Sequence, residues 1–139
     1  MERSAEIEAL VRDWFAALAK GDAAGVEALV GTGDLRVIGS DPEEWWGPDR
    51  DSVVRVLRAQ VVEMAGLVSF ELRDLEGYAD GTVGWAAARP LVTLADGTSS
   101  GARMTAVARR EADGWRFVQA HLSFGVGNDE QLGTDLTIA

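Results

Sequence analysis

The stretch Gly101-Ala102-Arg103-Met104-Thr105-Ala106-Val107-Ala108-Arg109-Arg110, the turn Glu111-Ala112-Asp113-Gly114 and the run Trp115-Arg116-Phe117-Val118-Gln119-Ala120-His121-Leu122-Ser123-Phe124 decide the fold. They read as a long hairpin, with strands over 101–110 and 115–126 about a tight turn. A half-exposed strand would alternate apolar with charged residues. Here Trp115, Phe117, Gln119, His121 and Ser123 share one parity and Arg116, Val118, Ala120, Leu122 and Phe124 the other, so both faces ask for cover. Helices would cover one face and a second subunit the other. The polar trio Gln119, His121 and Ser123 suggests a polar lining to a pocket. On this reading their parity faces the helices, and Gln119, His121 and Thr105 line a cavity closed by Trp14 and by Trp45 or Trp46. Met104, Ala106, Ala108, Val118, Ala120, Leu122 and Phe124 then form an apolar face that a homodimer buries.

Composition bounds the function. A chain of 139 residues, 47% hydrophobic and with five Trp, fits a single domain over 1–139 and can fill one core. It has no Cys, which excludes disulfides and thiolate chemistry. A net charge of −10, from 23 acids against 13 bases, disfavours nucleic acid or an anionic membrane as partner. Met1-Glu2-Arg3-Ser4 leads straight into an amphipathic pattern, with neither an apolar signal core nor an apolar run long enough to span a bilayer, so a cytoplasmic protein is expected. The glycines and polar residues after Phe124 suggest a loosely held tail.

Working back toward the N-terminus, Ile7, Leu10, Val11, Trp14, Phe15 and Leu18 fall on one helical stripe that Gly21 ends. Asp22 caps a short second helix through Val30, and 35–39 is a short strand. Gly47-Pro48-Asp49 opens a third helix, with Val53, Val54, Leu57, Val61 and Met64 on its buried stripe and Gly66 as its stop. Strands over 68–78 and 82–94 then lead into the hairpin. Pro90 marks a bulge or an edge in the second of them, and the small residues Gly84, Ala86, Ala87 and Ala88 would let a helix or ligand approach the sheet closely. Helices first and strands after make an α+β fold, with three N-terminal helices packed on one face of a strongly curved, mostly antiparallel sheet.

This order resembles the nuclear transport factor 2-like superfamily, the cone fold of ketosteroid isomerases and SnoaL-like polyketide cyclases. Three local matches carry the resemblance over nearly the whole chain. They are Trp14-x-x-Ala17 followed by Gly21-Asp22, the segment Ile38-Gly39-Ser40-Asp41-Pro42-Glu43-Glu44-Trp45-Trp46-Gly47, and Asp113-Gly114-Trp115-Arg116-Phe117 leading to His121-x-Ser123. Together they resemble the SnoaL-like branch. The superfamily houses isomerases, cyclases, dehydratases, hydrolases and plain binding modules, so the resemblance implies a fold more than a reaction.

Asp41 matches the place where ketosteroid isomerases carry a general base followed by Pro. A carboxylate in an apolar cone loses hydration and can shuttle a proton between carbons. Asp41-Pro42 equally makes a turn and nothing more. The resemblance also implies an oxyanion hole from a helix Tyr and a late-strand acid, and this chain departs from it, with Trp14 and Phe15 in the helix and no acid within 102–110. His121 is the second candidate, as a base, as a group that orients substrate, or as a buried imidazole that only satisfies hydrogen bonds. One His and no Cys leave a mononuclear metal site without ligands, and no cofactor is expected. Arg103 and Arg109 share a parity that could hold a carboxylate or simply reach water, and Arg89 poses the same choice. Adjacent Trp45 and Trp46 point oppositely, one to the core and one to a pocket mouth or partner, while Glu43 and Glu44 before them rank below Asp41 and His121. Two functions remain. One is a cofactor-independent isomerase, cyclase or lyase of a small carbonyl compound, with Asp41 and His121 catalytic and Trp14, Trp45, Trp46, Thr105, Gln119 and Ser123 binding the ligand. The other is a non-catalytic module that binds an apolar metabolite or only dimerises.

Overall fold

The three N-terminal helices each begin where a side chain satisfies a free N–H group. In the structure, a computed structural model describing residues 1–134, Ser4 Oγ accepts from Ile7 N–H (3.2 Å) at the start of α1 (Ala5–Lys20). Asp22 does the same for α2 (Ala23–Ala28) and Asp49 for α3 (Arg50–Met64). Gly21, at φ +69°, closes α1 in the left-handed conformation. Residues 135–139, the end of the tail expected to be loosely held, lie outside the described residues. Among those described, no helix is long and apolar enough to cross a membrane.

Nine strands follow the order β1-β5-β6-β8-β9-β2-β3 across the main sheet, with β4 and β7 as a branch that joins it at β8. They are β1 (Glu2–Arg3), β2 (Arg36–Ile38), β3 (Trp45–Trp46), β4 (Val68–Glu71), β5 (Glu76–Asp80), β6 (Val83–Ala88), β7 (Leu91–Leu94), β8 (Ser99–Glu111) and β9 (Gly114–Phe124). All described ladders are antiparallel except β2 on β9. The expected α+β cone is present. A short α4 (Asn128–Leu132) follows the last strand and buries nothing.

Two expected long strands are each broken. The strand expected over 68–78 splits into β4 and β5 around Asp74, which sits at φ 52°, and the one over 82–94 splits into β6 and β7 at Arg89-Pro90. Pro90 has no N–H to give a ladder, and its ring is fully buried. The two breaks lie side by side, bridged by Arg89 N–H to Arg73 C=O (2.7 Å). Long β8 spans both halves, so the sheet folds over at this line and closes the cone.

The parity assignment in the hairpin is corrected by a bulge. Val107 pairs with Gln119 but Ala108 pairs with Phe117, leaving Val118 unpaired. Trp115 and Phe117 face the helices as expected, and beyond the bulge the inward residues become Ala120 and Leu122. The register gives two rows. Trp46, Val37, Ala120, Ala106, Ala86 and Gly77 lie across the inner face, where Ala86, Ala106 and Ala120 are buried. Trp45, Ile38, His121, Thr105 and Ala87 lie across the outer one, where Thr105 and Trp45 are exposed. Met104, Ala106 and Ala108, expected on the open face, are 2%, 2% and 1% exposed beneath the helices. Pocket face and open face therefore exchange places along most of the hairpin.

Candidate active site

Between α1, α3 and the inner face of the sheet lies a cavity of about 260 Å³. Its walls follow from the helix stripes. Trp14, Phe15 and Leu18 come from α1, Leu57 and Met64 from α3, and Val37, Trp46, Phe70, Met104, Ala120 and Leu122 from the sheet. Trp14 packs edge-on against Phe117 (5.3 Å between centroids) and Phe15 against Phe70 (5.0 Å), which fixes the inner wall. Phe124 and Leu94, both also exposed, mark where the cavity opens.

Into this apolar space comes one carboxylate, that of Glu44, the only acid among the described lining residues. It is placed by three neighbours. The N–H of Asp41 donates to Oε1 (2.8 Å), the amide of Gln60 on α3 donates to Oε2 (2.6 Å), and the N–H of Gly39 donates to the Glu44 backbone carbonyl (2.8 Å). A short N–H···O contact to an ionised acceptor is a strong hydrogen bond. Gly39 is required by this packing, since a Cβ there would lie 2.8 Å from the Cβ of Glu44 and 2.7 Å from Oε1. The indole N–H groups of Trp14 and Trp46, two of the lining residues, have no partner among the described residues.

The residues expected to act are distributed differently. Asp41 is exposed, outside the cavity lining, and its Oδ1 accepts from Glu43 N–H (2.9 Å), which is the turn arrangement. His121 and Ile38 line the cavity near the end of β2, as expected of His121, although the register sets His121 beside exposed Thr105 in the outer row. Trp14 and Trp46 line the cavity. Trp45, Thr105, Gln119 and Ser123 do not: the bulge in β9 turns Gln119 and Ser123 outward, Thr105 alternates with the inward Met104 and Ala106 of β8, and Trp45 lies under the Arg36 guanidinium (5.3 Å). Asp41 and His121 are thus not brought together, whereas Glu44 and Gln60 are. Gln60 carried a signal: it stands three residues after Leu57 and four before Met64, a polar residue on an apolar stripe. Among the described residues no three His, Cys, Asp or Glu side chains converge on a metal position.

Three comparisons set this geometry among known proteins. No curated protein matches the sequence. Among solved structures, a nuclear transport factor 2-like protein of unknown function from Pseudomonas putida KT2440 superposes with a TM-score of 0.78 at 20% identity, covering 96% of this chain and 93% of that one. A proposed dehydratase of the same family from Streptomyces avermitilis gives 0.77 at 16% identity, with 87% and 94% covered. A proposed ketosteroid isomerase from Shewanella frigidimarina gives 0.69 at 14%, with 83% and 92% covered. At such identities these neighbours establish the fold alone. The sequence itself goes further, because residues 7–127 match the SnoaL-like domain, and this chain belongs to that family.

Proposed function

We propose that the protein binds a small, mostly apolar carbonyl compound in its cone and moves a proton on it with Glu44. The observation that carries this reading is a single tethered carboxylate among aromatic and aliphatic walls. Glu44 would take a proton from the carbon next to the carbonyl, the C–H pair forming the enolate C=C as the carbonyl π pair moves onto oxygen, and return it to that carbon as the carbonyl re-forms, or to the γ carbon where a β,γ double bond of the substrate shifts into conjugation. An indole N–H of Trp14 or Trp46 would donate to that oxygen as charge develops. Asp41 serves as the turn that holds Glu44, and His121 lies outside the step.

The test is deuterium incorporation into a panel of cyclic ketones followed by NMR, beside ligand binding followed by tryptophan fluorescence. Glu44→Gln should keep binding and lower exchange about a hundredfold or more, since the amide accepts no proton. A second reading has its own support. Both carboxylate oxygens of Glu44 already accept hydrogen bonds, as they would in a purely structural brace for the 39–44 turn. In that case the protein is a binding module, and tight binding without exchange in the wild type would select it.

We also infer a homodimer through the outer sheet face. Val83 and Trp85 are 47% and 36% exposed there, Trp85 in register with Val107 and Gln119 and stacked on Tyr78 (4.8 Å). A sheet face carrying this much exposed apolar surface favours burial against a second copy.

A further inference from the structure

We propose that the fold line of the sheet carries a second site, distinct from the cone, that binds a small oxyanion through Arg73, Arg89 and Arg103. The two strand breaks described above create it. A notch of about 250 Å³ opens there, lined by these three arginines, Asp74 and the backbone of Gly101 and Gly125. Ala88 pairs with Met104, so Arg89 and Arg103, the next residues outward on neighbouring strands, come side by side. Arg89 N–H to Arg73 C=O (2.7 Å) and Ala102 N–H to Pro90 C=O (2.8 Å) pin the three arginine-bearing segments to one another. Backbone hydrogen bonds therefore fix the base of the notch.

Charge favours an anion at this place and disfavours one over most of the rest of the molecule. The chain carries −10 overall. At the notch three guanidiniums face two carboxylates, Arg73 pairing with Glu71 (3.2 Å) and Arg89 with Asp74 (3.3 Å). Arg103 has no ion pair among the described residues. The Arg89–Asp74 pair is 74% and 66% exposed, so it holds its arginine weakly and an incoming oxyanion can replace it. Guanidinium forks match the paired oxygens of a carboxylate or a phosphate. A Cβ built on Gly101 or Gly125 would meet nothing within 4 Å, which leaves room for a ligand of several atoms.

The experiment is an NMR titration of the full chain with inorganic phosphate and, separately, with succinate, against sodium chloride at matched ionic strength. Saturable shifts centred on the amides of Gly101, Ala102 and Gly125 are expected, weakened about tenfold or more in Arg103→Gln and in Arg89→Gln. Saturation by both anions assigns a general oxyanion site, and saturation by one alone identifies phosphate or carboxylate as the group recognised. Unchanged melting of the variants would show that loss of binding is not loss of fold. Shifts that fail to saturate, that chloride reproduces, or that persist in both variants would overturn the site. None of these outcomes depends on Glu44 or on what occupies the cone.

Discussion

At the scale of single residues, the arrangement turns on Glu44 and the space Gly39 leaves for it. Gly39→Ala should push Glu44 from the cavity wall, because atoms do not tolerate the 2.7 and 2.8 Å approaches its Cβ would make. Overpacking of this kind costs roughly 1–3 kcal/mol, measurable by urea unfolding, and proton exchange should fall with it. Gly84 has the same standing in the scaffold. A Cβ there would lie 2.8 Å from the Tyr78 carbonyl and from Ile7 Cδ1, so the small-residue strand is where α1 seats on the sheet, as its composition indicates. Glu44 was the harder residue to read from sequence. An acid beside a turn is ordinarily solvated, and only the pairing of β2 with β3, which sets Gly39 against Glu44, turns it inward. Asp41 has the right neighbour in Pro42 and the wrong orientation, since its own carboxylate closes the turn.

At the scale of elements, helices are legible because their signals are local. Ser4, Asp22 and Asp49 cap where an acceptor is needed, and Ser4→Ala should cost α1 about 1 kcal/mol in a denaturant titration. Among the carboxylates held low by hydrogen bonds, Glu8 and Asp49 add to stability above the carboxylate range. The hydrogen bond from Arg3 Nε (2.6 Å) holds Glu8 below its ordinary range, and the Ser52 hydroxyl, then its N–H, do the same for Asp49. Folded values below unfolded ones mean that this stabilisation is present above the usual carboxylate range, near pH 4, and is lost as pH falls through the folded values. The melting temperature should therefore drop between pH 5 and pH 2 by less in Asp49→Asn than in the wild type, and an equal drop would contradict the assignment. Strands are read less well for a physical reason. Their existence follows from composition, but a bulge at Val118 leaves no local mark when both parities of β9 beyond Arg116 lack a residue that must face water, and it reverses the inward set from Ala120 onward. The break at Pro90 was signalled by its missing N–H, whereas the partner break at residues 72–75 depends on Arg89 reaching Arg73 across the sheet.

At the scale of the whole molecule, the reversed parity changes which substitutions separate subunits. Val83→Asp on the outer face should leave the fold intact and shift sedimentation from twice the chain mass to 14.8 kDa, while Ala106→Asp should unfold the protein by burying a charge. A wild-type monomer at micromolar concentration would overturn the dimer. The curved sheet, closed by its fold line and covered by α1 and α3, leaves one apolar cavity with Glu44 on its wall, and the proposed chemistry stands on that carboxylate. The most direct measurement compares Glu44→Gln with Asp41→Asn in the same deuterium-exchange assay on a cyclic ketone that the wild type turns over. Both variants keep the Asp41 N–H that holds position 44, so a difference between them reports the proton-transfer group itself. Exchange lost in Glu44→Gln and retained in Asp41→Asn is the result predicted; exchange retained in Glu44→Gln and lost in Asp41→Asn would contradict it.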